Sequence, residues 1–243
     1  MSDRNVIVWD LETIPDLSAA RRILDFHDKS DDEVRVELVD AFPKLPLHSI
    51  VCIGALVASQ GDHGWMVQAL GAPNVGDRSE AELITAFVAK IAEYEPRLVT
   101  FSGNGFDLPV LRYRALLHSI PAPGLIARPY FNRFTEDAVD LCDVLASFSP
   151  RARAKLDELA RFFGLPGKPS GIDGSAVAGF VREGRIREVS DYCETDVVST
   201  YRIWLRYELF KGTLDPQQLA ASEKQLAEFI ERRQHKNPYL GKG

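Results

Sequence analysis

Residues 6–15 read Val-Ile-Val-Trp-Asp-Leu-Glu-Thr-Ile-Pro. A short apolar run, rich in β-branched residues, ends in two carboxylates, Asp10 and Glu12. Such a run reads as a buried strand, which Pro15 then breaks. Alternation along a strand puts positions 10 and 12 on one face. Two acids side by side at roughly 4 Å repel by about 4 kcal/mol at an effective dielectric of about 20. A cation, a basic partner or a shared proton must offset that repulsion, unless the strand end runs into water and both acids are hydrated. Divalent metal is the working expectation, and it requires further ligands elsewhere in the chain.

Composition narrows the class. The chain has 243 residues, 45% of them hydrophobic and 26% charged. That suffices for one sizeable α/β core, read as a single domain over 1–243, with a core of about 5–212 and a C-terminal helix and basic tail at 213–243. No apolar run approaches the roughly 20 residues that span a bilayer, and the N-terminus lacks an apolar signal region, so a cytoplasmic protein with no membrane partner is expected. Cys52, Cys142 and Cys193 lie far apart without zinc spacing and read as reduced, structural thiols. The net charge of −6 argues against a broad basic coat for nucleic acid, but not against a small metal-mediated contact with phosphates.

The rest of the chain supplies a mixed sheet. Residues 5–10 form the first strand, and 17–27 and 31–42 form helices that could make a flap near its end. Residues 49–58 and 65–70 flank a Gly-containing turn and read as a hairpin. Ser79 with Glu82 makes a capping box for a helix to about residue 94. Residues 98–101 form a strand, 107–118 a helix, 121–136 a surface loop with three prolines, and 138–145 a strand or short helix. Helices follow at 156–163, 174–183, 188–210 and 216–234, with a Gly/Pro loop at 164–174. This order fits an antiparallel trio joined to parallel strands by crossover helices.

Two more acids stand where they could converge on Asp10 and Glu12. In Phe101-Ser-Gly-Asn-Gly-Phe-Asp107 a strand ends, a Gly-rich loop follows and Asp107 opens a helix. Sites assemble at such strand ends, although an Asp there can also simply cap. In Asp191-Tyr-Cys-Glu-Thr-Asp196, Tyr192 and Asp196 are four residues apart and project from one helical face. Val197, Tyr201, Trp204 and Leu205 continue that side into the core, so Asp196 needs a partner, either a cation or a nearby arginine. Asp140 and Asp143 read as hydrogen-bonded structural acids. Arg232-Arg-Gln-His-Lys236 reads as a mobile, solvated tail, with contact to a nucleic-acid backbone as the alternative.

Asp10-Leu-Glu12, Asn104-Gly-Phe-Asp107 and Tyr192-Cys-Glu-Thr-Asp196, in that order, resemble the three motifs of the DEDDy 3′–5′ exonucleases. The likeness is to the family-B polymerase proofreading type. The loop at 167–174 and the Tyr-Cys-Glu-x-Asp-Val run look like the stand-alone exonucleases related to it, and no polymerase domain is evident in the chain. The resemblance covers about residues 5–212. It implies a ribonuclease-H-like fold, two divalent ions (magnesium or manganese), and the 3′ end of nucleic acid as partner, with single-stranded DNA ahead of RNA. By that resemblance Asp10, Glu12 and Asp196 would hold one ion, and Asp10 and Asp107 the other. Tyr192 would orient the attacking water. Leu11 and Thr13 would line the terminal nucleotide, with backbone groups near Thr13 holding the 3′-hydroxyl, Asn104 would contact the strand, and Phe106 would stack on a base or pack in the core. Leu11 should point away from the two acids unless the strand bends. Two rival readings are a haloacid-dehalogenase-type phosphatase, suggested by Asp-Leu-Glu-Thr after an apolar strand, and a non-catalytic nucleic-acid-binding module of the same fold.

Overall fold

Strand β1 (Asn5–Pro15) is the middle of the sheet, and both of its faces are covered. Val6 and Val8 point into one apolar cluster, and Ile7, Trp9 and Leu11 into another. A strand segment buried on both faces favours apolar side chains, and residues 6–9 carry no charged one. The computed structural model describes residues 4–39, 43–165, 176–233, 237 and 240.

β1 pairs antiparallel with β2 (His48–Gly61), which pairs antiparallel with β3 (Gly64–Gly71). On its other side β1 runs parallel to β4 (Arg97–Thr100), and β4 to β5 (Ala138–Asp140). Among the described residues the sheet therefore has five strands in the order β3-β2-β1-β4-β5. This is the mixed sheet of a ribonuclease-H-like fold. β1 extends to Pro15 rather than stopping near residue 10, because β2 pairs with it along the whole length. The register slips between Glu12 and Thr13, a bulge that bends the strand just past the acid pair.

Helices α1 (Leu17–Leu24) and α2 (Asp31–Val39) form the excursion after β1 and share a small cluster of Ala19, Ala20, Val34, Leu38 and Leu47. α3 (Glu80–Tyr94) begins at the Ser79–Glu82 capping box, α4 (Asp107–Leu117) follows β4, and both cover the Trp9 face of the sheet. Residues 121–136, expected as a surface loop, instead contain α5 (Gly124–Ala127) and are anchored inward. Leu125 and Tyr130 are buried, and the Tyr130 hydroxyl donates to the Pro96 carbonyl at 2.6 Å. Segment 138–145 is both things considered: β5, then α6 (Leu141–Leu145) capped by Asp140.

The Val8 face is covered by α7 (Leu156–Phe162), α9 (Ile186–Lys211) and α10 (Pro216–Glu231), and α8 (Val177–Arg182) packs beside α9. α10 also closes the sheet edge. Its Ser222 hydroxyl accepts from the Trp65 N–H at 2.8 Å, and its Gln225 amide oxygen accepts from the Val67 N–H at 2.8 Å. Nor is the following tail merely solvated: Arg233 meets Glu194 at 3.5 Å, and the Asn237 amide donates to Glu194 at 2.9 Å. Residues 234–236 of the basic run, Phe42, and nearly all of the Gly/Pro loop at 164–174 lie outside the described residues. No helix among the described residues is long and apolar enough to cross a membrane.

Candidate active site

Asp10 and Glu12 share the face of β1 that carries Val6 and Val8, so they point toward α9. Opposite Asp10 on β2 stands Gly54. A Cβ at Gly54 would lie 2.5 Å from the Cys193 sulfur and 3.1 Å from a Val197 methyl, so only a bare backbone lets α9 sit this close to the acids. The Cys193 sulfur is 3.8 Å from an Asp10 carboxylate oxygen and 3.8 Å from the Asp10 carbonyl. Ligand atoms of Asp10, Glu12 and Cys193 all fall within 4.8 Å of one another. Burial and the neighbouring Cys52, Asp10 and Glu12 keep the Cys193 sulfur a protonated thiol: the Cys52 contact is the largest influence, and all push its pKa up.

α9 brings Tyr192 and Asp196 to the same place. Burial raises the Tyr192 phenol far above its ordinary pKa, and Asp196, Glu12 and Asp10 reinforce it. The Tyr192 hydroxyl donates to Asp196. It is thus a permanent O–H donor facing three carboxylates from two elements.

Asp107 arrives from the opposite layer. It is the first residue of α4, while Phe106 occupies the cap position without a side-chain capping bond. Its carboxylate accepts the Leu11 backbone N–H, which joins the second acidic segment to the first. Burial pushes the Asp107 carboxyl well above the usual range, and Asp10 and Asp140 push it further. The loop that delivers it is held by Asp140, whose carboxylate accepts from the Ser102 N–H at 2.8 Å and the Asn104 N–H at 3.0 Å. Gly103 is forced by contact: a Cβ there would lie 2.6 Å from an Asp107 carboxylate oxygen. Asp143 is paired with Arg133 and Arg153 and takes no part.

The structure thus gathers Asp10, Glu12, Asp107, Tyr192 and Asp196 from β1, α4 and α9. The Leu11 side chain is 5% exposed within the Trp9 cluster, and what it offers this site is its N–H. Thr13 is half-buried just past the bulge, Asn104 lies on the loop before α4, and Phe106 packs at the edge of the core beside His48. Gly54 and His48 went unnoticed in the sequence, and Cys193 was read there only as a reduced, structural thiol. A glycine inside a strong strand was the available signal for Gly54. His48 gave none, because the side chains it meets, Thr13 and Phe106, lie 35 and 58 positions away.

The acids around Asp107, whose carboxyl is pushed up by burial and then by Asp10 and Asp140, are short of positive charge. Their oxygens form a hard donor set, suited to magnesium or manganese. Asp10, Glu12, Asp107 and Asp196 therefore fit a site for divalent cations.

The profile of a family described as predicted 3′–5′ exonucleases related to the exonuclease domain of PolB matches residues 40–242. The chain belongs to that family. The matched span includes Asn104, Phe106, Asp107, Tyr192 and Asp196, while Asp10 and Glu12 precede it. A DNA polymerase of Archaeoglobus fulgidus is 28% identical over 145 residues, which is 54% of this chain and 19% of the polymerase. The chain thus spans about a fifth of the length of that relative. Among solved structures, E. coli exonuclease I in complex with a 5cy-dT13 oligonucleotide is 11% identical with a TM-score of 0.45, covering 97% of this chain and 44% of that one. The zinc-bound complex of E. coli exonuclease I with single-stranded DNA is 12% identical with a TM-score of 0.44, covering 96% and 44%.

Proposed function

We propose that this protein is a metal-dependent 3′–5′ exonuclease of the DEDDy type. It removes nucleotides from the 3′ end of a nucleic acid strand, single-stranded DNA ahead of RNA, as nucleoside 5′-monophosphates. The observation that carries the reading is the convergence of four carboxylates and one phenol from three distant segments. Membership of the PolB-related exonuclease family agrees with it, and the polymerase relative favours DNA.

Asp10, Glu12 and Asp196 would hold one divalent ion, and Asp10 and Asp107 a second. Such ions, magnesium or manganese, supply charge neutralisation on the phosphate, activation of the attacking water and stabilisation of the leaving oxygen. Tyr192, held as a donor by its carboxylate neighbours, orients that water toward phosphorus as the bond to the 3′-oxygen breaks. Thr13 lines the terminal sugar, and Asn104 and Phe106 meet the strand before it, with the Leu11 backbone steadying Asp107.

The test is digestion of 5′-labelled single-stranded DNA, duplex DNA and RNA in parallel, with magnesium, manganese or chelator. A ladder shortening from the 3′ end, abolished by chelator, is expected. Asp10→Ala and Asp196→Ala should abolish it while retaining a cooperative melt. Full activity in either variant overturns the site, and a strand that is bound but never shortened favours a binding module instead. Tyr192→Phe should lower kcat by about 10²-fold with little change in strand affinity, since it misplaces the water rather than the strand.

A further inference from the structure

His48 opens β2, across from Pro15, and is 5% exposed. Its Nε2 lies 3.1 Å from the Pro43 carbonyl oxygen, and its Nδ1 lies 3.0 Å from the Thr13 hydroxyl. Its ring meets that of Phe106 edge-on, with centroids 4.8 Å apart at 87°. One residue thus touches two side chains assigned to the end of the strand, from two different segments.

The hydrogen-bond inventory fixes the polarity of this chain of contacts. A carbonyl oxygen only accepts, so the Nε2 atom must carry the proton. Burial holds the imidazole below its ordinary pKa, so the ring is neutral near pH 7. In a neutral ring with Nε2–H, Nδ1 has only a lone pair. The Thr13 hydroxyl must therefore spend its one hydrogen on Nδ1. What Thr13 presents to anything else is oxygen lone pairs alone.

We propose that His48 is a positioning residue that locks the Thr13 hydroxyl as a pure acceptor, so that the site selects strand ends able to donate a hydrogen bond, the 3′-hydroxyl, over ends that cannot. This inference rests on the exonuclease reading for the placement of the strand end beside Thr13. It assigns His48 no contact with the substrate; the selection runs through Thr13, and the edge contact with Phe106 keeps the imidazole in register.

The experiment compares oligonucleotides ending in a 3′-hydroxyl with otherwise identical ones ending in 3′-deoxy-3′-fluoro. Fluorine is close to the hydroxyl in size but cannot donate. The ratio of kcat/KM for the two ends is measured with magnesium, and the ratio of Kd values by fluorescence anisotropy with calcium. The wild type should favour the hydroxyl end by about tenfold, the worth of one hydrogen bond. Thr13→Val should bring the ratio near one, His48→Leu should lower it severalfold because the freed Thr13 hydroxyl can then donate as well as accept, and the double variant should match Thr13→Val. His48→Asn, whose amide oxygen can accept in place of Nδ1, should keep the preference. A merely structural histidine would lower activity on both ends alike and leave the ratio intact.

An unchanged ratio in His48→Leu, or no preference in the wild type, overturns the proposal while the exonuclease reading stands. If no strand is shortened but the anisotropy ratio behaves as described, the exonuclease reading fails and the role of His48 survives. Failure of the wild type to bind either end overturns both. Should His48→Leu not fold, the Thr13→Val ratio and the long-range 15N–1H spectrum of the wild-type imidazole decide. A protonated Nε2 and a bare Nδ1 are expected there, and a protonated Nδ1 overturns the proposal.

Discussion

Asp107 has almost no access to water, and two other acids bear on it. Burial first, then Asp10 and Asp140, lift its carboxyl well above the usual range. A raised folded-state pKa has a definite sign. Below the unfolded value of about 4 the group is neutral in both states, and as pH rises toward the folded value the native state loses stability relative to the unfolded chain. In chelator, Asp107→Asn should therefore melt higher than the wild type at pH 7, at about 2–4 °C per kcal/mol relieved, and the gain should vanish below about pH 4. Magnesium should reverse the order by stabilising the wild type more. Thermal melts across pH, with and without metal, check both halves, and a variant that melts lower than the wild type in chelator counts against an unneutralised acid cluster. At this scale much of the proposed site was legible. Asp10 and Glu12 announced themselves by alternation, and Asp196 by its place on an apolar stripe. Leu11 was readable too, since alternation turns its side chain into the Trp9 cluster. Its N–H bond to Asp107 was not, because backbone groups leave no trace in composition.

Between elements, the decisive distance is that of α9 from the sheet. Gly54 on β2 allows it, and an added methyl would meet Cys193 at 2.5 Å, next to Asp10. Gly54→Ala must push α9 outward, at roughly 1–3 kcal/mol for overpacking a buried contact. Because α9 carries Tyr192 and Asp196, the variant should also lose more activity than its lowered melting temperature explains. Cys193→Ala in the same chain removes the clashing sulfur and should recover most of both. Activity at matched fractions folded, with the double variant as control, is the measurement, and no recovery in the double variant sinks the packing account. The elements themselves followed local rules wherever those rules were complete. The Ser79–Glu82 box, the 60–64 turn, and Gly212 in the left-handed conformation at the end of α9 all stand where their chemistry puts them. Local rules failed where tertiary pairing decided. β1 runs on to Pro15 because β2 offers it partners, and the proline-rich 121–136 segment turns inward because Leu125 and Tyr130 find buried places. The Arg114 guanidinium adds a tie of the same kind, bonding Asp16 after β1 at 2.6 Å and Glu80 of α3 at 2.7 Å from its place on α4. Three separated segments share that network, and no window of sequence contains it.

Across the molecule, the sheet has two edges, and the outer one, β3, is where a second chain could pair. α10 blocks it with side chains rather than with a strand: Ser222 takes the Trp65 N–H and Gln225 the Val67 N–H, while Leu226 and Ile230 join Trp65 and Trp204 in the core. An edge covered in this way cannot template aggregation. The motif-bearing core was expected to end at about residue 212, with a C-terminal helix and basic tail completing the same domain. That helix packs against the core. Cutting the chain after Gly212 removes Leu214, Leu226 and Ile230 from the Val8-side cluster. At about 1.5–3 kcal/mol for each large aliphatic side chain, the loss is at least about 4 kcal/mol, against a total of roughly 5–15 kcal/mol for a typical domain. The truncated chain should therefore melt far lower and form higher oligomers through β3, although every proposed catalytic residue is still present. Replacing Ser222 and Gln225 by Ala in the full chain separates the two causes: the apolar face stays and only the edge bonds go, so a smaller fall in melting temperature with some self-association is expected. Thermal denaturation and size-exclusion chromatography of the two variants side by side give the answer. A truncated chain that stays monomeric and melts with the wild type would show that α10 is an accessory rather than a wall of the fold.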